Sequence, residues 1–394
     1  MGFSLERIEL LLLVAAMVAM LTRRLRIPYS IGLVMTGAVL AMLPFSIDVQ
    51  MTKEVVFNFL LPPLIFEAAL FLPWADLRRD FGVVIAMASI GLVLAAGITA
   101  AGMHLLAGWP LISAGIFGVL IAATDPVSVI ATFKEAGVTG RLRLLVEAES
   151  LLNDGTAAVM FGILMTVAGG SAVTGPGVLL DILTTVGGGV GVGFIIGWII
   201  LYLAGHTEDP LVELTFTTVA AYGAFMVAEH WHFSGVLATL TAGLILGNRG
   251  HLGAISEKGQ EAVEAFWEFA AFIANSLIFL LIGIREAQQV FIHLWPAILI
   301  AIALVTLGRA VAIYPVCYAF KETRLEVARP HQHILFWGGL RGALALALAL
   351  GLPVELPYRD QIITVSFAVV AFSVIVQGLT VTPLMRRLGQ MQAK

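Results

Sequence analysis

PLISAGIFGVLIAATDPVSVIATF, residues 110–133, is an almost unbroken apolar run with a threonine, an aspartate and a proline at its middle. Its length is what a helix needs to cross the roughly 30 Å hydrocarbon core of a bilayer, and its centre holds what such a helix ordinarily excludes. Pro126 has no backbone N–H and is tolerated as the first residue of a new half-helix. A carboxylate at that depth costs at least about 2.5–3.5 kcal/mol on insertion scales, so Asp125 needs a partner or a task. The stretch reads as a membrane-spanning helix interrupted at Thr124-Asp125-Pro126.

A second apolar run, residues 331–351, is interrupted in the same manner by Gly338-Gly339-Leu340-Arg341-Gly342. Paired, broken hydrophobic segments in corresponding places point to the binding site of a transporter built from inverted repeats. The composition agrees: 59% of residues are hydrophobic and 12% charged, with a mean hydropathy of +0.98. A water-soluble globule could not present such a surface without aggregating.

Working outward from the two breaks, apolar spans are expected at roughly 8–22, 29–45, 55–73, 81–106, 110–133, 144–168, 177–204, 211–229, 233–247, 262–283, 290–319, 331–351 and 361–384. Lysine and arginine content tests this order, because loops on the cytoplasmic side are enriched in them. Alternate loops hold Arg23, Arg24 and Arg26; Arg78 and Arg79; Lys134, Arg141 and Arg143; Arg249 and Lys258; Lys321, Arg324 and Arg329; and Arg386, Arg387 and Lys394. The opposite loops hold only Arg7, Lys53, Arg285 and Arg359, while Arg309 and Arg341 fall within spans. The N-terminus is thus expected outside and the C-terminus inside. The first apolar run has its main cluster of arginines, Arg23, Arg24 and Arg26, after it rather than before it, so it reads as a retained span and not a signal peptide.

The expected fold is an all-α polytopic membrane protein of about thirteen transmembrane helices. Two inverted six-helix repeats, roughly 8–168 and 211–384, flank a linker helix at roughly 177–204, with broken helices 5 and 12 crossing at the midplane. One transporter domain fills residues 1–394 and no soluble regulatory domain is expected. With a net charge of -4 and no long basic run, nothing points to nucleic acid as a partner, and none is expected. The single cysteine, Cys317, can build neither a disulfide framework nor a thiolate metal site.

Asp154, in ESLLNDGTA (residues 149–157), is the acid on which function is placed. Desolvation disfavours the charged form of a carboxyl group, so one inside a membrane can trade a proton for a metal cation at working pH. A single carboxylate that holds one or the other makes the two species compete. Ser150 shares a helix face with Asp154 and can add a neutral oxygen. Thr124 and Asp125 read equally as a helix cap and as ion ligands, since an unwound stretch frees carbonyls for a hard cation. Glu67, after the Pro62-Pro63 pair, is either a further ligand or a residue near a helix end. Glu149 points about 140° away from Asp154 on an ideal helix and is expected to pair with Arg309 as a structural ion pair. Arg341 is expected to offset the negative end of a half-helix. The glycines of VGGGVGVGFIIGW, among them Gly187, Gly191, Gly193 and Gly197, have small-xxx-small spacing and suggest close helix packing or a dimer face.

ATDPVSV (123–129), ESLLNDGTA and GGLRGALALAL (338–348), in that order, resemble the monovalent cation/proton antiporters of the NhaP type, relatives of the eukaryotic sodium/hydrogen exchangers. The resemblance implies a thirteen-helix inverted-repeat fold, a homodimer, and an elevator-like movement of a six-helix core carrying the ion. It implies Na+, with Li+ or K+ as alternatives, and H+ as the transported species, and no cofactor. Asp154 then corresponds to the ion-binding aspartate, with Ser150, Asp125, Thr124 and Glu67 as neighbours. Asn153 fills the neutral position of the family's Asn-Asp pair, implying one cation for one proton. Residence in the inner cell membrane follows. A sodium-coupled symporter of organic solutes with a similar fold is the alternative, and it would need a larger polar cavity. An aspartyl intramembrane protease would want Gly-x-Gly-Asp, whereas Asp154 follows Leu-Leu-Asn.

Overall fold

The computed structural model describes residues 5–25, 27–42, 54–125, 129–130, 133, 137–170, 175–249, 255–288 and 294–390. No strand occurs among them. In chain order the helices are α1 (Leu5–Leu25), α2 (Tyr29–Met42), α3 (Leu61–Leu70), α4 (Trp74–Ala86), α5 (Leu92–Ala107), α6 (Leu111–Ala122), α7 (Arg141–Ala168) and α8 (Gly175–Ala204). There follow α9 (Pro210–His230), α10 (Gly235–Arg249), α11 (Glu257–Gln288), α12 (Trp295–Ala319), α13 (Arg329–Trp337), α14 (Ala343–Leu350), α15 (Arg359–Phe372) and α16 (Gly378–Arg387). π-helical turns at Val55–Leu60, Met87–Gly91 and Ser373–Gln377 lead into α3, α5 and α16 without ending the helical path. Among the described residues, seven helices are long and apolar enough to cross a membrane, and Tyr29–Met42, Val55–Leu70, Leu111–Ala122 and Gly235–Asn248 are shorter apolar helices.

Helix ends differ from the expected spans where charged residues flank an apolar run. The helix expected over 81–106 begins at Trp74 and continues to Ala107, because Arg78, Arg79 and Asp80 end an apolar window without ending a helix; arginine has good helix propensity, and a single aspartate costs too little to stop it. The second half of the interrupted span, with Pro126, lies largely outside the described residues.

The chain forms two compact units. The first comprises Met1–Lys53, Asp80–Asn153 and Asn275–Lys394, and the second Glu54–Arg79 and Asp154–Ala274. Each takes segments from both expected repeats, so the units are not the repeats.

In the first unit α6 packs against α5, α14 and α15, and α12 packs against α5. Every residue from Ile116 to Ala122 is buried, as are all from Ala343 to Ala349. These two short helices are therefore core elements, hydrophobic all round because protein surrounds them. Most other apolar helices keep exposed faces, such as Leu13, Met17 and Met20 on α1.

In the second unit α10 packs against α3, α8 and α9. A Cβ at Gly189 would meet Ser234, just before α10, and one at Gly193 or Gly197 would meet Ala238 or Ala242 of α10. The glycine stripe thus serves a close crossing inside this chain. Gly187 and Gly191, read from the sequence as part of the stripe, face no atom within 4 Å. Period four places the stripe on Gly189, and the run of three glycines hides that register. The opposite face of α8 exposes Leu183, Phe194, Trp198 and Tyr202.

Candidate functional site

α6 ends at Ala122, and Ala123 turns to an extended conformation with φ -57° and ψ 142°. Its last carbonyls have no helical partner. Arg341 supplies one: its Nη1 donates to the carbonyls of Ala122 at 2.6 Å and Ala123 at 3.1 Å. α13 ends in the same manner. Gly338 N–H donates to Ile334 O at 2.7 Å, and the guanidinium of Arg309 donates to Leu335 O through Nε at 3.2 Å and Nη2 at 2.9 Å. Each interrupted span therefore has the carbonyl end of its first half-helix closed by an arginine from elsewhere in the chain. A cation there also opposes the negative end of the helix dipole.

The two breaks touch. Asp125 N–H donates to Leu340 O at 2.7 Å, and a side chain at Gly342 would collide with that of Asp125. Glycine at 342 is what lets the second break lie against the aspartate.

α7 brings the polar side chains. Glu149, 1% exposed, is held by Arg309 in a two-pronged ion pair, Nη1 to Oε1 at 2.7 Å and Nη2 to Oε2 at 2.9 Å. Parallel N–H···O bonds of this kind are the strong form of carboxylate recognition. Asn153 joins this pair to the first break: Nδ2 donates to Glu149 Oε1 at 3.0 Å and to Thr124 Oγ1 at 2.6 Å, and Oδ1 accepts from Thr124 N–H at 3.1 Å. The hydroxyls of Thr124 and Ser150 share a further hydrogen bond of 3.0 Å. Thr124, Ser150 and Asn153 are all at most 2% exposed.

Asp125 and Asp154, in contrast to Glu149, remain partly exposed. Asp154 lies one helical turn beyond Ser150 on the same face of α7. Glu67, also partly exposed, lies in α3 and begins its last turn, its carbonyl accepting from Phe71 N–H at 3.2 Å. By the division above, Thr124, Asp125, Glu149, Ser150, Asn153, Arg309 and Arg341 belong to the first unit, and Glu67 and Asp154 to the second.

The structure brings in residues the sequence reading passed over. Arg341 N–H donates to Ser373 Oγ at 2.9 Å, and Ser373 Oγ donates to Gln377 Oε1 at 2.8 Å. A serine and a glutamine four apart in an otherwise apolar span were the available signal. Arg141, read only as a cytoplasmic charge, grips Asp80 at 2.7 Å and the carbonyls of Leu325 and Glu326. A cavity of about 280 Å³ in the second unit, lined by residues such as Leu70, Asn248 and Glu264, includes none of the ion-binding or ion-pair candidates expected from the sequence. No group of three or more His, Cys, Asp or Glu side chains suited to hold a metal ion occurs among the described residues.

Residues 10–387 match the family described as "Sodium/hydrogen exchanger, transmembrane". The chain is similar to the Na(+)/H(+) antiporter ApNhaP of Aphanothece halophytica, 39% identical over 92% of this chain and 70% of that protein. It is also similar to the Na(+)/H(+) antiporter NhaH of Halobacillus aidingensis, 35% identical over 98% of this chain and 99% of that one. In fold it is similar to the sodium proton antiporter MjNhaP1 from Methanocaldococcus jannaschii, solved at pH 8, with a TM-score of 0.79, 20% identity and 97% of both chains covered.

Proposed function

The chain belongs to the sodium/hydrogen exchanger family, and from that premise we propose that it is a secondary antiporter exchanging Na+ for H+ across a membrane. The observation that carries the assignment of the exchanging group is the contrast between Glu149 and Asp154 of α7, the third acid of that helix, Glu147, being paired with Arg143. Glu149 is buried and committed to Arg309, whereas Asp154 is partly exposed and one turn from the Ser150 hydroxyl. A transported ion must be able to enter and leave, so the accessible acid is the carrier. The solute-symporter alternative has no support among the matched relatives, which are named as Na(+)/H(+) antiporters.

In this reading Asp154 takes either H+ or Na+, so each ion must leave before the other binds. Asp125, Ser150 and Thr124 offer carboxylate, hydroxyl and carbonyl oxygens of the type a hard cation prefers, and Glu67 is an additional ligand. Asn153 contributes through its two donated bonds, which hold Thr124 in place against Glu149. One exchangeable carboxylate with a neutral neighbour makes the exchange one-for-one and without net charge movement. The chain crosses the inner cell membrane thirteen times, N-terminus outside and C-terminus in the cytoplasm, in contact with lipid and as a homodimer.

Asp154→Asn tests the central claim. It is expected to abolish proton movement driven by a sodium gradient in proteoliposomes while the purified protein keeps its thermal stability. Full exchange by the variant removes Asp154 from the site. Running the same assay with lithium and potassium gradients sets the selectivity.

A further inference from the structure

The turn at Ser373–Gln377 is π-helical, a single widened turn of a kind that recurs at functional sites. Ser373 is 1% exposed and Gln377 7%. Neither belongs to the ion ligands proposed above. Together they form a two-step relay to the second break. A serine hydroxyl has one proton and can accept as well as donate. With that proton directed to Gln377 Oε1 at 2.8 Å, its oxygen faces Arg341 N–H at 2.9 Å.

This matters because Arg341 sits in a non-helical stretch between α13 and α14, where its N–H has no helical acceptor and a buried unsatisfied donor is costly. The same residue carries the guanidinium that closes α6 at Ala122 and Ala123. The next residues in line are Thr124 and Asp125, and Leu340, beside Arg341, accepts from Asp125 N–H. Fixing the Arg341 backbone therefore fixes both strands of the crossing. A second observation agrees: Arg309, Arg341, Ser373 and Gln377 meet at one small cavity of about 10 Å³ whose other walls include the apolar Ile302, Val305, Val369 and Phe372, so these polar groups are gathered in an otherwise largely apolar setting.

We propose that Ser373 and Gln377 are positioning residues for cation binding, holding the Arg341 backbone so that the two broken helices present their oxygens in one geometry. This rests on the antiport reading above. Loosening the anchor disorders ligands that a cation needs in concert, while a proton needs a single carboxylate oxygen. The effect therefore falls on Na+ affinity more than on turnover, and H+ outcompetes Na+ up to a higher pH.

The test is sodium-driven proton flux in proteoliposomes for the wild type, Ser373→Ala, Ser373→Thr, Gln377→Leu and Gln377→Glu. Ser373→Ala and Gln377→Leu are expected to raise the KM for Na+ about tenfold, the scale of one buried hydrogen bond, with maximal rate within about twofold and the pH profile moved to the alkaline side. Ser373→Thr and Gln377→Glu keep a hydroxyl and an acceptor and are expected to restore both. Gln377→Leu leaves Ser373 in place and serves if Ser373→Ala does not fold. Active wild-type vesicles together with unshifted KM and pH profile in both disabling variants overturn the positioning role. Wild-type vesicles that move no protons overturn the antiport reading instead.

Discussion

At the scale of single residues, the chemistry turns on how neighbouring side chains of α7 are used differently. Glu149 and Arg309 satisfy each other, and the remaining donors of Arg309 close the end of α13. Removing one member strands a buried charge, which costs about 3–5 kcal/mol. Arg309→Ala is therefore expected to reduce the yield and the thermal midpoint of solubilised protein; a variant that folds normally but loses ion affinity would show that the arginine acts on the ion instead. Asn153 is the bridge between this pair and Thr124. Asn153→Asp deletes both donated bonds and sets a second carboxylate against Glu149. A loss of about 1–3 kcal/mol per unsatisfied buried group is expected, visible as a lower thermal midpoint that recovers on acidification as the new acid is neutralised.

At the scale of elements, the two interrupted helices are built alike: a half-helix, an uncoiled turn, and a guanidinium from elsewhere on the unpaired carbonyls. Sequence shows the interruptions directly, as Thr124-Asp125-Pro126 and Gly338-Gly339-Leu340-Arg341-Gly342. It does not show that Asp125 N–H reaches Leu340 O or that Gly342 must lack a side chain to admit Asp125. Gly342→Ala is expected to leave the helices intact, since alanine suits the start of α14, but to displace the Asp125 carboxylate. A lowered Na+ affinity with unchanged circular dichroism checks this. The glycine stripe of α8 teaches the same lesson. Its spacing predicts a close crossing, but Gly189, Gly193 and Gly197 meet Ser234 and α10 of the same chain, because three consecutive glycines leave the face undetermined until a partner helix selects it.

At the scale of the molecule, the one-for-one reading of Asp154 beside Asn153 has a consequence for energetics. Moving one elementary charge across a membrane is worth about 2.3 kcal/mol per 100 mV, so an exchange that moves no net charge should ignore voltage. Proteoliposomes given a potassium/valinomycin potential are expected to exchange at an unchanged rate, and a clear voltage dependence would refute the stoichiometry.

Composition alone determined that this chain lives in a membrane and is helical, because lipid satisfies no backbone group and only closed hydrogen-bonded helices answer that demand with such a sequence. The sequence also located both breaks and the acids worth attention, since a charge or a proline in an apolar run is conspicuous wherever it falls. Only the tertiary structure decided the partners. Glu149 and Arg309 are 160 positions apart, and Arg341 and Ala122 are 219 apart. No local periodicity carries information over such distances. Which buried charge is neutralised and which acid stays accessible is settled by the folding of the chain back on itself, not by the side chains one turn away.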